Sequence, residues 1–299
     1  MNASPTVFFL QILVSGLVVG SVYALVALGF VLIYKASDVI NFAQGEFLLV
    51  GGYVSLTMMV AYKVPLLPAI LLTLFFGVVV GTVVEKFVLR PLIGEPIISM
   101  IMATIGLSSA LRGIIQMIWG TDTRTFPGIF PQEPVRFGQV VVSEVYLWSL
   151  GIALVLLVLF SLFFKFSTMG VAMRATADDQ QASLSMGISV KRVFAVAWAI
   201  SAMVSAIGGI LLGNINGVNG SLAQIGLKVL PVAILGGLDS IPGAIIGGFT
   251  IGVLENLAGG YLDPLVGGGV KEVAPFVVLV VILMIKPFGL FGKEIIERV

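Results

Sequence analysis

The chain is 299 residues long, 59% apolar and only 10% charged, with a net charge of +1 and a mean hydropathy of +1.14. A soluble domain carries about a quarter charged residues and could not hide this much apolar surface, so composition excludes a soluble fold and points to a bilayer. The balanced charge leaves no footprint for nucleic acid, and the absence of Cys and His removes disulfides, thiolate chemistry, imidazole metal ligands and the usual general base.

Met1 to Thr6 lacks the basic region of a cleavable leader, so the first apolar stretch is expected to be a retained span. At roughly 20 apolar residues per crossing, helices are expected near 8–34, 41–61, 65–89, 97–119, 145–164, 193–213, 226–237, 242–261 and 272–286. The stretches 226–237 and 272–286 are short, and the first reads as a half-helix. The expected fold is all-α: one polytopic membrane helix bundle over residues 1–299, with about nine spans (eight to ten). Polar interruptions fall at 120–144 and 165–192.

Basic residues set the orientation. With the amino terminus outside, Lys35, Lys86, Arg90, Lys165, Arg174, Lys191, Arg192, Lys286, Lys293 and Arg298 fall on the cytoplasmic side. Lys63, Arg124, Arg136 and Lys271 fall outside, while Arg112 and Lys228 lie within spans. The carboxyl terminus is then cytoplasmic, 165–192 is a cytoplasmic loop and 120–144 a periplasmic one. Small residues at four-residue spacing, as in Gly16/Gly20/Ala24, Gly77/Gly81, Gly209/Gly213 and Gly243/Gly247, form stripes that let helices approach closely.

Three polar features stand out. Asp38-Val39-Ile40-Asn41-Phe42-Ala43-Gln44-Gly45-Glu46-Phe47 opens an otherwise apolar segment. A carboxylate at membrane depth costs about 2.5–3.5 kcal/mol on insertion scales, so Glu46 needs a partner or a watery cavity. Two readings stand side by side: a broken helix exposing backbone at membrane depth, or a turn with Glu46 one helical turn inside. Arg112 is expected to snorkel to the interface rather than pair with Glu46.

The second feature is Met169 to Gly187. Thr176 is expected to cap a helix there, with Asp179 completing an approximate capping box, and Gly187 to end it. So short a helix is unstable alone in water, which favours docking on a partner through Ala175, Ala182 and Met186. In the third, Leu235 to Gly243, Gly236-Gly237 ends one helix while Ser240 caps the next and Pro242 suits its first turn. Glu255 and Asn256 farther along are candidates to line a cavity. Asn214, Asn216 and Asn219 are candidates for an outer vestibule.

Taken in order, these stretches resemble the first permease subunit of branched-chain amino-acid ABC importers. The resemblance rests on Gly20-Ser21-Val22-Tyr23-Ala24-Leu25, Ile40 to Phe47, Met173-Arg174-Ala175 through Gly187-Ile188, Leu235 to Gly243, and Lys286-Pro287-Phe288-Gly289-Leu290-Phe291-Gly292. It runs from about residue 10 to residue 293. It implies a subunit of the cell inner membrane that pairs with a second, related permease, two cytoplasmic ATPases and a periplasmic solute-binding protein. Arg174, Ala175, Asp178, Asp179, Ala182 and Gly187 would then couple to the ATPase, and Tyr23, Asn41, Gln44, Glu46, Asn214 and Glu255 would line the solute path. The family often has His where this chain has Gln44, and an amide does not titrate near neutral pH, so proton linkage is not expected there. No stretch reads G-x-x-x-x-G-K-[ST], so ATP, the one cofactor implied, is expected on partner chains and no metal or catalytic residue here. The competing readings are an ion-coupled secondary transporter and a channel for a small polar solute. Within the importer reading, urea or a short-chain amide is the alternative cargo.

Overall fold

The computed structural model describes residues 4–128, 134–138 and 140–292. Lys293 and Arg298, used above for orientation, lie outside the described residues. Each of the nine apolar segments is a helix. They are α1 (Pro5–Ser37), α2 (Gln44–Val60), α3 (Leu66–Val84), α4 (Ile97–Trp119), α5 (Glu144–Phe166), α8 (Val190–Asn216), α9 (Ser221–Gly236), α10 (Ile241–Tyr261) and α12 (Val270–Ile285). Between α5 and α8 lie the short α6 (Thr168–Asp178) and α7 (Gln180–Ser185), and α11 (Asp263–Val266) precedes α12. Among the described residues six helices (α1, α3, α4, α5, α8 and α10) are long and apolar enough to cross a membrane. The others are shorter: α2 has 17 residues, and α9 and α12 have 16 each.

The bundle is built around α1, which is buried from Gly20 to Ile33. Small residues make its closest contacts. Gly16 and Gly20 lie under the backbone of Val253, Gly248 and Phe249, and Ala24 meets Gly248, so α1 and α10 touch almost backbone to backbone. The same device seats Gly81 on Trp198, Gly209 on Leu48, and Gly247 on Val232. In a bilayer apolar side chains gain little from leaving lipid, so close dispersion contact along such stripes carries association. The outer helices expose apolar side chains, Phe75 on α3, Met117 on α4, Val155 on α5 and Met284 on α12 among them, as an apolar medium requires.

The interruption at 120–144 holds a hairpin that the sequence did not suggest: β1 (Pro134–Phe137) pairs antiparallel with β2 (Val140–Ser143). A bridge between Arg124 and Val218 ties this region to the α8–α9 connection at the amino-terminal end of α1. At the opposite end the tail folds back. Leu290 N–H donates to Leu235 O at 2.8 Å and Phe291 N–H to Gly236 O at 3.2 Å, satisfying carbonyls that the end of α9 leaves free. Ser240 caps α10, accepting from Gly243 N–H at 3.1 Å, with Pro242 in the first turn as expected.

Candidate functional site

The α1–α2 connection re-enters the bundle. α1 ends at Ser37, yet the first residue of α2, Gln44, is bonded at the level of Gly29, eight residues back along α1 and thus about 12 Å deep. Gln44 Nε2 donates to Ser205 Oγ at 2.7 Å, and its Oε1 accepts from Asn41 Nδ2 and Ser201 Oγ, both at 3.0 Å. Asn41 Oδ1 takes the Ala43 N–H, and Thr104 of α4 bridges Phe42 N–H and Ile40 O. These bonds answer backbone and amide groups that are buried or half-buried in the bundle. Of the two readings, the turn with Glu46 in the first turn of α2 is the one observed, folded back against α1 with its backbone bonded rather than exposed. Asn41 and Gln44 are fully buried in this network between helices and line no open cavity.

Glu46, 1% exposed, sits in the first turn of α2, where the helix dipole favours its charge. Arg112 of α4 reaches it, Nη2 to Oε1 at 2.7 Å and Nε to the same oxygen at 3.2 Å. The expected snorkelling is therefore corrected. A carboxylate this deep requires a counter-charge more than Arg112, 40% exposed, requires water. A second pair that the sequence did not suggest, Glu85 with Arg90 at 2.7 Å, closes the turn after α3.

The open polar space lies elsewhere. Toward the amino-terminal end of α1, a cavity of about 270 Å³ is enclosed by α1, α8, α9, α10 and the starts of α5 and α12. Tyr23, Lys228, Glu255, Asn256, Lys271 and Glu272 supply its polar wall, with Gln224 exposed at the rim. Lys228 Nζ lies 3.4 Å from Glu255 Oε1 and pairs more closely with Glu272. Glu255 is 1% exposed and its Oε2 has no hydrogen-bond partner among the described residues. Of the expected path residues, Tyr23 and Glu255 face this cavity. Asn214 lies beside it on α8, its amide nitrogen buried and without a hydrogen-bond partner among the described residues. Glu272 and Lys228 were missed as a site because they come together only when α9, α10 and α12 pack.

At the opposite end, α6 and α7 form an elbow. The capping expectation is corrected here. α6 starts earlier, with Ser167 accepting from Gly170 N–H at 2.9 Å, so Thr176 falls inside it and donates back to Ala172 O. Asp179 is the cap of α7, taking the N–H groups of Gln181 and Ala182 at 2.8 and 2.9 Å. Gly187, at φ +82°, follows α7 in a conformation that glycine adopts without strain. One arm is anchored. Met173 is buried, Gly170 packs on the Phe164 carbonyl, and Arg174 bonds that carbonyl while lying 5.5 Å over the Phe164 ring. Lys35 approaches the same ring at 5.5 Å and donates to Asp239 O at 2.8 Å, joining α6 through α5 and α1 to the α9–α10 turn. Ala175 is half-buried and Asp178 closes α6. The other arm offers Ala182, Leu184 and Met186 to the surroundings, the last 83% exposed.

The described residues thus form a helical bundle of a polytopic membrane protein, with a charged cavity toward one end and an anchored elbow at the other. The family described as branched-chain amino acid transport system, permease component, matches residues 12–285, and the chain belongs to it. Similar relatives include the high-affinity branched-chain amino acid transport system permease proteins LivH of Escherichia coli K12 and BraD of Pseudomonas aeruginosa. LivH is 32% identical over 98% of both chains. BraD is 32% identical over 97% of this chain and 98% of its own. Among solved structures, a chain of PsaBC from Streptococcus pneumoniae in complex with Fab matches over 95% of this chain and 94% of that one, with a TM-score of 0.54 and 16% identity, a likeness of fold.

Proposed function

We propose that this chain is a non-catalytic permease subunit of an ATP-driven importer, moving a branched-chain amino acid across the inner membrane by alternating access. ATP is hydrolysed on two partner subunits that grip α6–α7. A second, related permease completes the pathway, and a periplasmic binding protein delivers the solute. The observation that carries the coupling is the elbow itself. It is anchored through Arg174 and Phe164 on one side and presents small and apolar groups on the other, as a docking element must. The names of the relatives support the cargo. The basic asymmetry supports an external amino terminus, which places the polar cavity outside and the elbow in the cytoplasm.

Mild solubilisation followed by mass spectrometry of the intact complex tests the assignment. ATPase subunits and a second permease travel with the chain, and the reconstituted complex imports L-leucine only with ATP. Uptake by the purified chain alone in an ion gradient would establish a secondary carrier instead. A single Cys at Thr121 in the Cys-free chain labels from outside; labelling only from the cytoplasm reverses the topology.

A further inference from the structure

The cavity around Lys228 is neutral as a whole, with Lys228 and Lys271 set against Glu255 and Glu272. Its parts are not equivalent. Glu255 is sealed in the wall with one oxygen 3.4 Å from Lys228 and the other, beside the Tyr23 side chain, without a geometric hydrogen bond among the described residues, whereas Glu272 belongs to the first turn of α12 and its side chain is 63% exposed. A buried carboxylate oxygen lacking a donor carries a desolvation cost that a ligand donor would relieve. In the Lys228–Glu272 pair the carboxylate is the exposed partner and the ammonium is largely buried, so Glu272 is the member that can exchange for another carboxylate. The volume is several times the roughly 30 Å³ share of one water.

We propose that this cavity is a way-station binding site for a zwitterionic α-amino acid within the permease, separate from any site on a delivery protein. The solute ammonium donates to the free oxygen of Glu255. Its carboxylate takes the place of Glu272 at Lys228, and Glu272 swings to water. The solute brings one charge of each sign, and each end meets its opposite: the ammonium at Glu255, the carboxylate at Lys228. A solute with only one of these groups would pair with only one of Glu255 and Lys228. Tyr23 and Asn256 complete the wall with polar edges. The choice of an amino acid rests on the import reading above.

The test uses Gln224→Cys, at the rim of the cavity, as the single thiol of the full-length chain in its assembled complex. Modification by a membrane-impermeant maleimide is followed with L-leucine, 4-methylpentanoate or isoamylamine present, and leucine uptake is measured in parallel. L-leucine slows modification, while the acid and the amine, each lacking one charge, do not. Glu255→Gln raises the leucine concentration for half-protection roughly tenfold or more, the scale of one charge-assisted contact. Glu272→Gln, on an exposed side chain, lowers it by freeing Lys228. Leucine uptake without protection overturns the site while leaving the import reading intact; protection without uptake does the reverse. Equal protection by the acid or the amine, or a shift of the same sign in both variants, also overturns the proposal.

Discussion

Glu46 and Arg112 show how one buried charge organises its surroundings. Glu46 is almost fully enclosed, so removing its partner strands an anion in an apolar medium, whereas Arg112 retains access to the surface. The two halves of the pair are therefore unequal. Arg112→Met is expected to cost about 3 kcal/mol, because it leaves a buried carboxylate unpaired. Glu46→Gln, which keeps an acceptor and removes the charge, is expected to cost about 1 kcal/mol. Thermal unfolding of the detergent-solubilised variants measures both, and equal losses would mean that the pair is energetically symmetric. At this scale the sequence was partly legible. Both residues stand out as charges in apolar runs, but they lie 66 positions apart and their pairing depends on how α2 and α4 pack. Thr176 misled for a local reason. It fits the first position of a capping box, but by then α6 was already running and its backbone satisfied, so the cap fell to Asp179.

At the scale of elements, hydropathy located the nine apolar helices, since an uninterrupted apolar run near bilayer length has few other uses. It was less informative where polar side chains start a helix. α9 begins at Ser221, five residues ahead of the expected start, because Asn219 accepts the Ser221 N–H at 2.8 Å. The hairpin of β1 and β2 escaped notice, as strands of four residues carry too little periodicity. Packing was legible as stripes of small residues but not as partners. Gly45 illustrates the consequence: a methyl group there would strike the Ala223 carbonyl of α9. Gly45→Ala is expected to destabilise by about 1–3 kcal/mol through overpacking. Gly106→Ala on α4, where nothing lies within 4 Å, is expected to be neutral or stabilising by up to about 1 kcal/mol. Unfolding temperatures that move together in the two variants would contradict close α2–α9 contact as the cause.

On the scale of the whole molecule, the polar cavity and the elbow lie at opposite ends of the bundle. The α9–α10 hairpin spans the distance. Its turn receives Lys35, itself packed on the ring that holds Arg174, and its arms carry Lys228 and Glu255 across the cavity. Under the proposed import reading, a displacement of α6 would reach the helix pair that carries Lys228 and Glu255, the link alternating access needs. The sequence marked the elbow and the hairpin turn as motifs, but the links between them are backbone and ring contacts that no motif encodes. Coupling through α6–α7 is the claim on which the account depends, and Ala182→Arg tests it most directly. Ala182 is exposed and follows the capped start of α7, so the substitution is expected to leave the bundle intact and to set a bulky charge in the proposed docking surface. ATPase activity recovered with the permease and leucine uptake by the assembled system are both expected to be lost, while the folded chain is recovered at the normal level. Retention of both at the unsubstituted level would contradict the account.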